Sequence, residues 1–113
     1  MPLTIYHNPR CAKSRLTLDL LESKGLKPRV VEYLKDPPSV EELAHILKAL
    51  RASPADILRK AEAKDAGIDP ARLTDKQLIA AMIRNPIVIE RPIVVSGSKA
   101  AIGRPPENVL KIL

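Results

Sequence analysis

Apolar and polar side chains alternate through Leu3-Thr-Ile-Tyr6 up to His7-Asn8-Pro9, the pattern of a short strand closed by a turn. Leu16, Leu20 and Leu21 then fall at helical spacing, and Gly25 marks the end of that helix. The β-branched and aromatic run Arg29–Tyr33 predicts a second strand, which Asp36-Pro-Pro-Ser39 breaks. Three short helices are expected next. Ser39 with Glu42 forms a capping box ahead of Leu43, Ile46, Leu47 and Leu50. Ser53-Pro54 opens the second helix, which is expected to contain Arg59, and Thr74 with Gln77 opens the third, carrying Leu78, Ile79, Met82 and Ile83. Asn85-Pro86 ends it. Ile87–Ile89 and Ile93–Val95 read as strands interrupted by Arg91-Pro92, Gly97-Ser98 turns the chain into Ala100–Ile102, and Gly103-Arg-Pro-Pro106 starts a last helix running to Leu113. This order predicts an α/β sandwich, a small sheet with helices packed on its faces.

A chain of 113 residues, 45% of them hydrophobic and 28% charged, is expected to form one domain with its own core. With no Phe or Trp and only Tyr6 and Tyr33 aromatic, that core must be aliphatic. The net charge of +6 raises the question of nucleic acid, but the cations are scattered among acids from Arg10 to Lys111 and lack interleaved aromatics, so small anions fit better. No apolar run is long enough for a membrane helix and no leader is read at the amino terminus, so neither membrane nor export is expected. A lone cysteine cannot form an intrachain disulfide and is easiest to keep reduced in the cytoplasm, the expected location.

That cysteine lies in Tyr6-His-Asn-Pro-Arg-Cys-Ala-Lys-Ser-Arg15, at the predicted start of a helix. Free N–H groups and the helix dipole favour a thiolate there, and Arg10, Lys13 and Arg15 add positive charge, so Cys11 is expected to ionise more readily than an ordinary thiol and to act as a nucleophile. The other reading of a single cysteine is a small buried hydrophobe. Ser14 lies one turn on, in CxxS spacing, where its hydroxyl could donate to the thiolate or cap the first turn. His7 either orients or deprotonates Cys11, or closes the turn with a side-chain hydrogen bond. His45, within an amphipathic helix, reads as a surface residue, and two histidines with one cysteine at these spacings make no metal site.

The stretches YHNPRCAKSRLTLDLL, LRK at 58–60, ERPIVV at 90–95 and IGRPPENVLKIL at 102–113 together resemble the thioredoxin-like, glutaredoxin-dependent arsenate reductases. Ala12 and Lys13 stand where well-studied members carry Gly and Thr, and the chain resembles a shorter branch marked by NPRC and IGRPPE. The resemblance implies a thioredoxin-like (glutaredoxin-like) fold over residues 1–113 with a helical insertion at about 39–84. It implies Cys11 as the nucleophile, Arg59, Arg91 and Arg104 as the oxyanion-binding arginines, and a cis-proline at Arg91-Pro92; His7, Ser14 and Arg15 are the thiolate-supporting residues. Arsenate or a similar oxyanion is the implied substrate, glutathione the co-substrate and glutaredoxin the partner, with no bound cofactor. A thiolate approaching a doubly charged arsenate at about 4 Å meets roughly 8 kcal/mol of repulsion at an effective dielectric of 20, enough to slow reaction about a millionfold, and bidentate arginines can offset it. Two other readings share these residues: a glutathione-dependent thiol oxidoreductase of another substrate, and an Spx-like regulator that binds RNA polymerase without catalysis.

Overall fold

A computed structural model describes residues 2–113, which divide into two compact units. One comprises the chain up to Asp36 together with Arg91–Leu113, and the other is Pro37–Glu90.

The first unit is built on four strands, β1 (Leu3–His7), β2 (Arg29–Glu32), β3 (Ile93–Ser96) and β4 (Lys99–Ile102), in the spatial order β2-β1-β3-β4. β1 and β2 are parallel, in a register that sets Tyr6 beside Val31 and His7 beside Glu32. Parallel neighbours need a crossover, and helix α1 (Ala12–Ser23) supplies it. β3 runs antiparallel to both β1 and β4, the latter pair joined at Gly97, whose φ of 62° is the left-handed conformation a tight turn demands. Strand pleating sends Leu3, Ile5 and His7 to one face. There Ile5 and its register partner Val94 pack with Leu21 of α1 and Val109 of the last helical segment, all fully buried, and with Leu18, Leu26, Ala101 and Ile112 around them. The core is aliphatic apart from the buried ring of Tyr33.

In the second unit, α2 (Val40–Leu50) and α4 (Asp75–Arg84) begin at the capping boxes read from the sequence. Ser39 Oγ accepts from Glu42 N at 3.1 Å while Ser39 N donates to the Glu42 carboxylate at 2.9 Å, and Thr74 and Gln77 repeat the arrangement. α2 buries Leu43, Ile46 and Leu47. His45 points away from that face and is exposed.

Three expectations are corrected. Ser53-Pro54 opens only a 3-10 turn, Pro54–Ile57, with Asp56 accepting from both the N–H and the hydroxyl of Ser53. The next helix, α3, starts at Lys60, so Arg59 stands at its N-cap with extended backbone (φ −81°, ψ 108°) and not inside a helix. Ile87–Ile89 is not a strand: Pro86 continues from α4 into a 3-10 turn, Pro86–Val88, and Ile89 makes a single bridge to Leu58. The closing segment Pro106–Ile112 is a 3-10 helix, with Pro105 at its N-cap and Pro106 at its first position.

Candidate active site

Cys11 caps α1 with extended backbone (φ −93°, ψ 122°), and its side chain makes no capping bond, which leaves the sulfur at the open end of the helix. The turn that delivers it is fixed from both sides. Cys11 N donates to Asn8 O at 3.0 Å, Asn8 Oδ1 accepts from Arg10 N at 3.0 Å, and Asn8 N donates to Ser14 Oγ at 3.0 Å. Asn8 carries no charge and escaped notice in the sequence, although Asn-Pro is a turn signal and an Asn side chain often binds the backbone two residues on.

Burial works against ionisation of Cys11. The backbone N–H of Ser14, a hydrogen bond from the Arg91 side chain, the charge of Arg104 and the backbone N–H of Lys13 outweigh it, so the thiol ionises below its usual range. Arg104 Nη2 lies 3.4 Å from the sulfur, and the same guanidinium donates from Nε to the Arg91 carbonyl at 2.8 Å. Arg104 therefore joins the sulfur to the turn that carries Arg91. Its own carbonyl accepts from Asn108 Nδ2 at 2.9 Å, which ties the arginine to the closing helical segment.

The supporting residues are placed differently from one another. Ser14 is fully buried; its backbone, not its hydroxyl, reaches the sulfur, and Oγ stands 2.6 Å from His7 Nδ1 while accepting from Asn8 N. His7 thus makes a side-chain hydrogen bond at the turn. Burial is the larger influence on it and depresses its basicity, Glu32 pulls the other way, and Arg15 adds to the depression, so a neutral ring that accepts from Ser14 fits the geometry. Arg15 extends back over the loop and donates from Nη1 to Pro9 O at 2.9 Å.

Arg59 belongs to the other unit. Its Nε is paired with Glu62 and its Nη1 lies 2.6 Å from Glu90; burial opposes its charge, but these two carboxylates prevail and strengthen it. Neither acid was singled out in the sequence, because Glu90 is 31 positions away. Among the described residues no group of three or more His, Cys, Asp or Glu is placed to hold a metal, and no helix is long and apolar enough to cross a membrane.

Arg91 and Arg104 each precede a cis-proline, Arg91-Pro92 as the resemblance implies and Arg104-Pro105 in addition. Gly103 lies between these turns and donates its N–H to Pro92 O at 2.9 Å. A Cβ on Gly103 would overlap Thr17 Oγ1 and come within 2.8 Å of Pro92 Cγ. Thr17 is fully buried and its hydroxyl is bound to Lys13 O at 2.8 Å, so it has nowhere to go. Gly103→Ala is expected to lower stability by about 1–3 kcal/mol, read as a lower guanidinium midpoint at unchanged slope. An unmoved midpoint would show that the contact yields freely.

The ArsC family model matches residues 6–112. The chain belongs to the ArsC family. It is 45% identical over 118 residues to a Haemophilus influenzae protein named arsenate reductase, covering all of both chains. It is also 47% identical over 112 residues to the Escherichia coli protein YfgD, described as uncharacterized, covering 96% of this chain and 94% of that one. A solved arsenate reductase from Vibrio cholerae superposes with a TM-score of 0.94 at 46% identity, over 100% of this chain and 98% of the other. The mixed four-stranded sheet and flanking helices are those of the thioredoxin-like ArsC fold.

Proposed function

We propose that this ArsC-family chain is an arsenate reductase of the glutathione and glutaredoxin type, a cytoplasmic enzyme, with residues at about 39–84 as a helical insertion in a single thioredoxin-like domain. One observation carries the reading: a sulfur at a helix start with the Arg104 guanidinium 3.4 Å away and the Arg91 side chain bonded to it, two arginines that favour its ionisation and whose chemistry suits an oxyanion. Relatives named arsenate reductase over their full length support the choice of substrate.

In this scheme the Cys11 thiolate attacks arsenic, a Cys11–arsenic bond forms, and one oxygen leaves as water after taking protons from the oxyanion and solvent. Arg91 and Arg104 offset the charge that the anion brings to the thiolate. Glutathione then adds its sulfur to arsenic with loss of a second oxygen. A glutaredoxin thiolate takes up the glutathione sulfur, the sulfur–arsenic electron pair stays on arsenic, and arsenic falls to the arsenite level. Water releases arsenite and restores Cys11. The resemblance supports Arg59 as a third oxyanion-binding arginine; its Nε and Nη1 are engaged by Glu62 and Glu90.

The test is NADPH consumption by the purified protein with arsenate, glutathione, glutaredoxin and glutathione reductase. A rate that requires both arsenate and the protein is expected. No arsenate-dependent rate from protein whose Cys11 still alkylates would sink the arsenate claim and leave the chain a thiol oxidoreductase of another substrate.

A further inference from the structure

Cys11 is the sole cysteine in the sequence, so its reduction falls to a thiol from another molecule. The surface such a thiol must approach has a definite character. α1 buries Ser14, Thr17 and Leu21 and turns Ala12, Arg15, Leu16 and Asp19 outward, at i, i+3, i+4 and i+7. Leu16 is 57% exposed and lies one turn and a half beyond the sulfur of Cys11. A groove of about 470 Å³ runs along this face, lined by Pro9, Ala12, Leu16 and Leu18 with Arg15 and Asp19 at its sides. Arg10, Lys13 and Arg15 are exposed around its Cys11 end, and none of the three is in an ion pair among the described residues.

An apolar groove bordered by three cations and one carboxylate, Asp19, fits a protein face that is apolar at its centre and on balance acidic around it. A second copy is a poor occupant, because it would bring the same three cations and a net charge of +6 against them. A small hydrophilic thiol has no use for Leu16 or Leu18. Nucleic acid lacks the aromatic platforms it stacks on, since the one ring that lines the groove is that of His7, which is buried and bonded to Ser14. We propose that the outer face of α1, from Pro9 to Leu18, docks an acidic-faced thiol protein that reduces Cys11. The inference rests on the reading of Cys11 as the redox centre and deepens it by assigning the partner's landing surface.

The step that isolates docking from arsenate is reduction of Cys11 carrying glutathione in a mixed disulfide. The partner's thiolate attacks the glutathione sulfur, a partner–glutathione disulfide forms, the bond to Cys11 breaks, and the electron pair leaves on Cys11 as its thiolate. No further reactant is needed.

The experiment uses the full chain glutathionylated at Cys11. Its reduction is followed by mass spectrometry with a net-acidic glutaredoxin reduced to a single active cysteine and, separately, with dithiothreitol. Leu16→Asp is expected to slow the glutaredoxin reaction at least about tenfold, and Leu16→Lys less, because lysine removes the apolar contact but keeps the attraction. The dithiothreitol rate is expected to stay within about twofold for both variants, and the wild-type glutaredoxin rate to fall with salt. Equal glutaredoxin rates for wild type and Leu16→Asp would overturn the proposal, as would a parallel loss with dithiothreitol. Because no arsenate is present, those outcomes leave the choice of substrate untouched, and a failed arsenate assay leaves this one interpretable.

Discussion

Cys11→Ser is expected to reduce arsenate-dependent turnover at least about a thousandfold, to the background of the coupled assay. The exchange keeps the size and position of the side chain and changes its acidity. Against the cost of burial, the site favours ionisation of the thiol through the N–H group of Ser14, a hydrogen bond from Arg91, the charge of Arg104 and the N–H group of Lys13. A serine hydroxyl starts so far above a thiol in pKa that the same help leaves it protonated at neutral pH. A base could rescue it, yet His7, the histidine of this turn, has its Nδ1 on Ser14 Oγ at 2.6 Å. The fold has no reason to suffer, because Cys11 stands at the N-cap of α1, a position that serine fills well. Wild-type-like thermal unfolding together with lost turnover would place the effect in chemistry. A variant that retained a tenth of the wild-type rate would mean that another group is the nucleophile.

Much of this was readable in the sequence because the deciding interactions are local. Ser39 with Glu42 and Thr74 with Gln77 fix their helix starts within four residues, and the strand of Leu3–His7 follows from alternation alone. The errors fall where proline leaves the outcome to context. Ile87–Ile89 has strand composition, but Pro86 carries a 3-10 turn through it, and Arg59 looked helical because a 3-10 turn and an N-cap resemble a helix in composition.

The site divides along the same line. Cys11 at a helix start was legible from its own decapeptide. The direction of the Ser14 hydroxyl was not, since an hydroxyl one turn from a thiol can face the sulfur or the turn, and here Asn8 and His7 decide it. The Glu62–Arg59–Glu90 cluster and the clearance that Gly103 gives Thr17 and Pro92 depend on pairings that no local pattern encodes. The contact between Arg104 and Cys11 spans 93 positions and exists because β3 and β4 return the chain beside β1.

That contact supports the second large effect. Arg104→Ala removes a cation 3.4 Å from the sulfur and the donor that holds the Arg91 carbonyl at 2.8 Å. The raw attraction of such a pair is roughly 5 kcal/mol at an effective dielectric of 20, and solvent screening at this half-buried position leaves a fraction of it. Two consequences follow. The thiolate loses one of the influences that depress its pKa, so the inflection of iodoacetamide alkylation against pH is expected to move upward: at a pH between the old and new inflections, the variant is more protonated and alkylates more slowly. The oxyanion loses a donor while Arg91 loses its anchor, and kcat/KM for arsenate is expected to fall about 10²–10³-fold, the range for removing one preorganised donor. Arg104→Lys separates charge from shape. Lysine can restore much of the thiolate pKa, but it cannot bind the sulfur and the Arg91 carbonyl at once as a planar fork does, so its alkylation profile should recover more than its turnover. If Arg104→Ala kept kcat/KM within about twofold of wild type while Cys11→Ser was inactive, the arginine would serve the turn alone, and the anion would be held elsewhere.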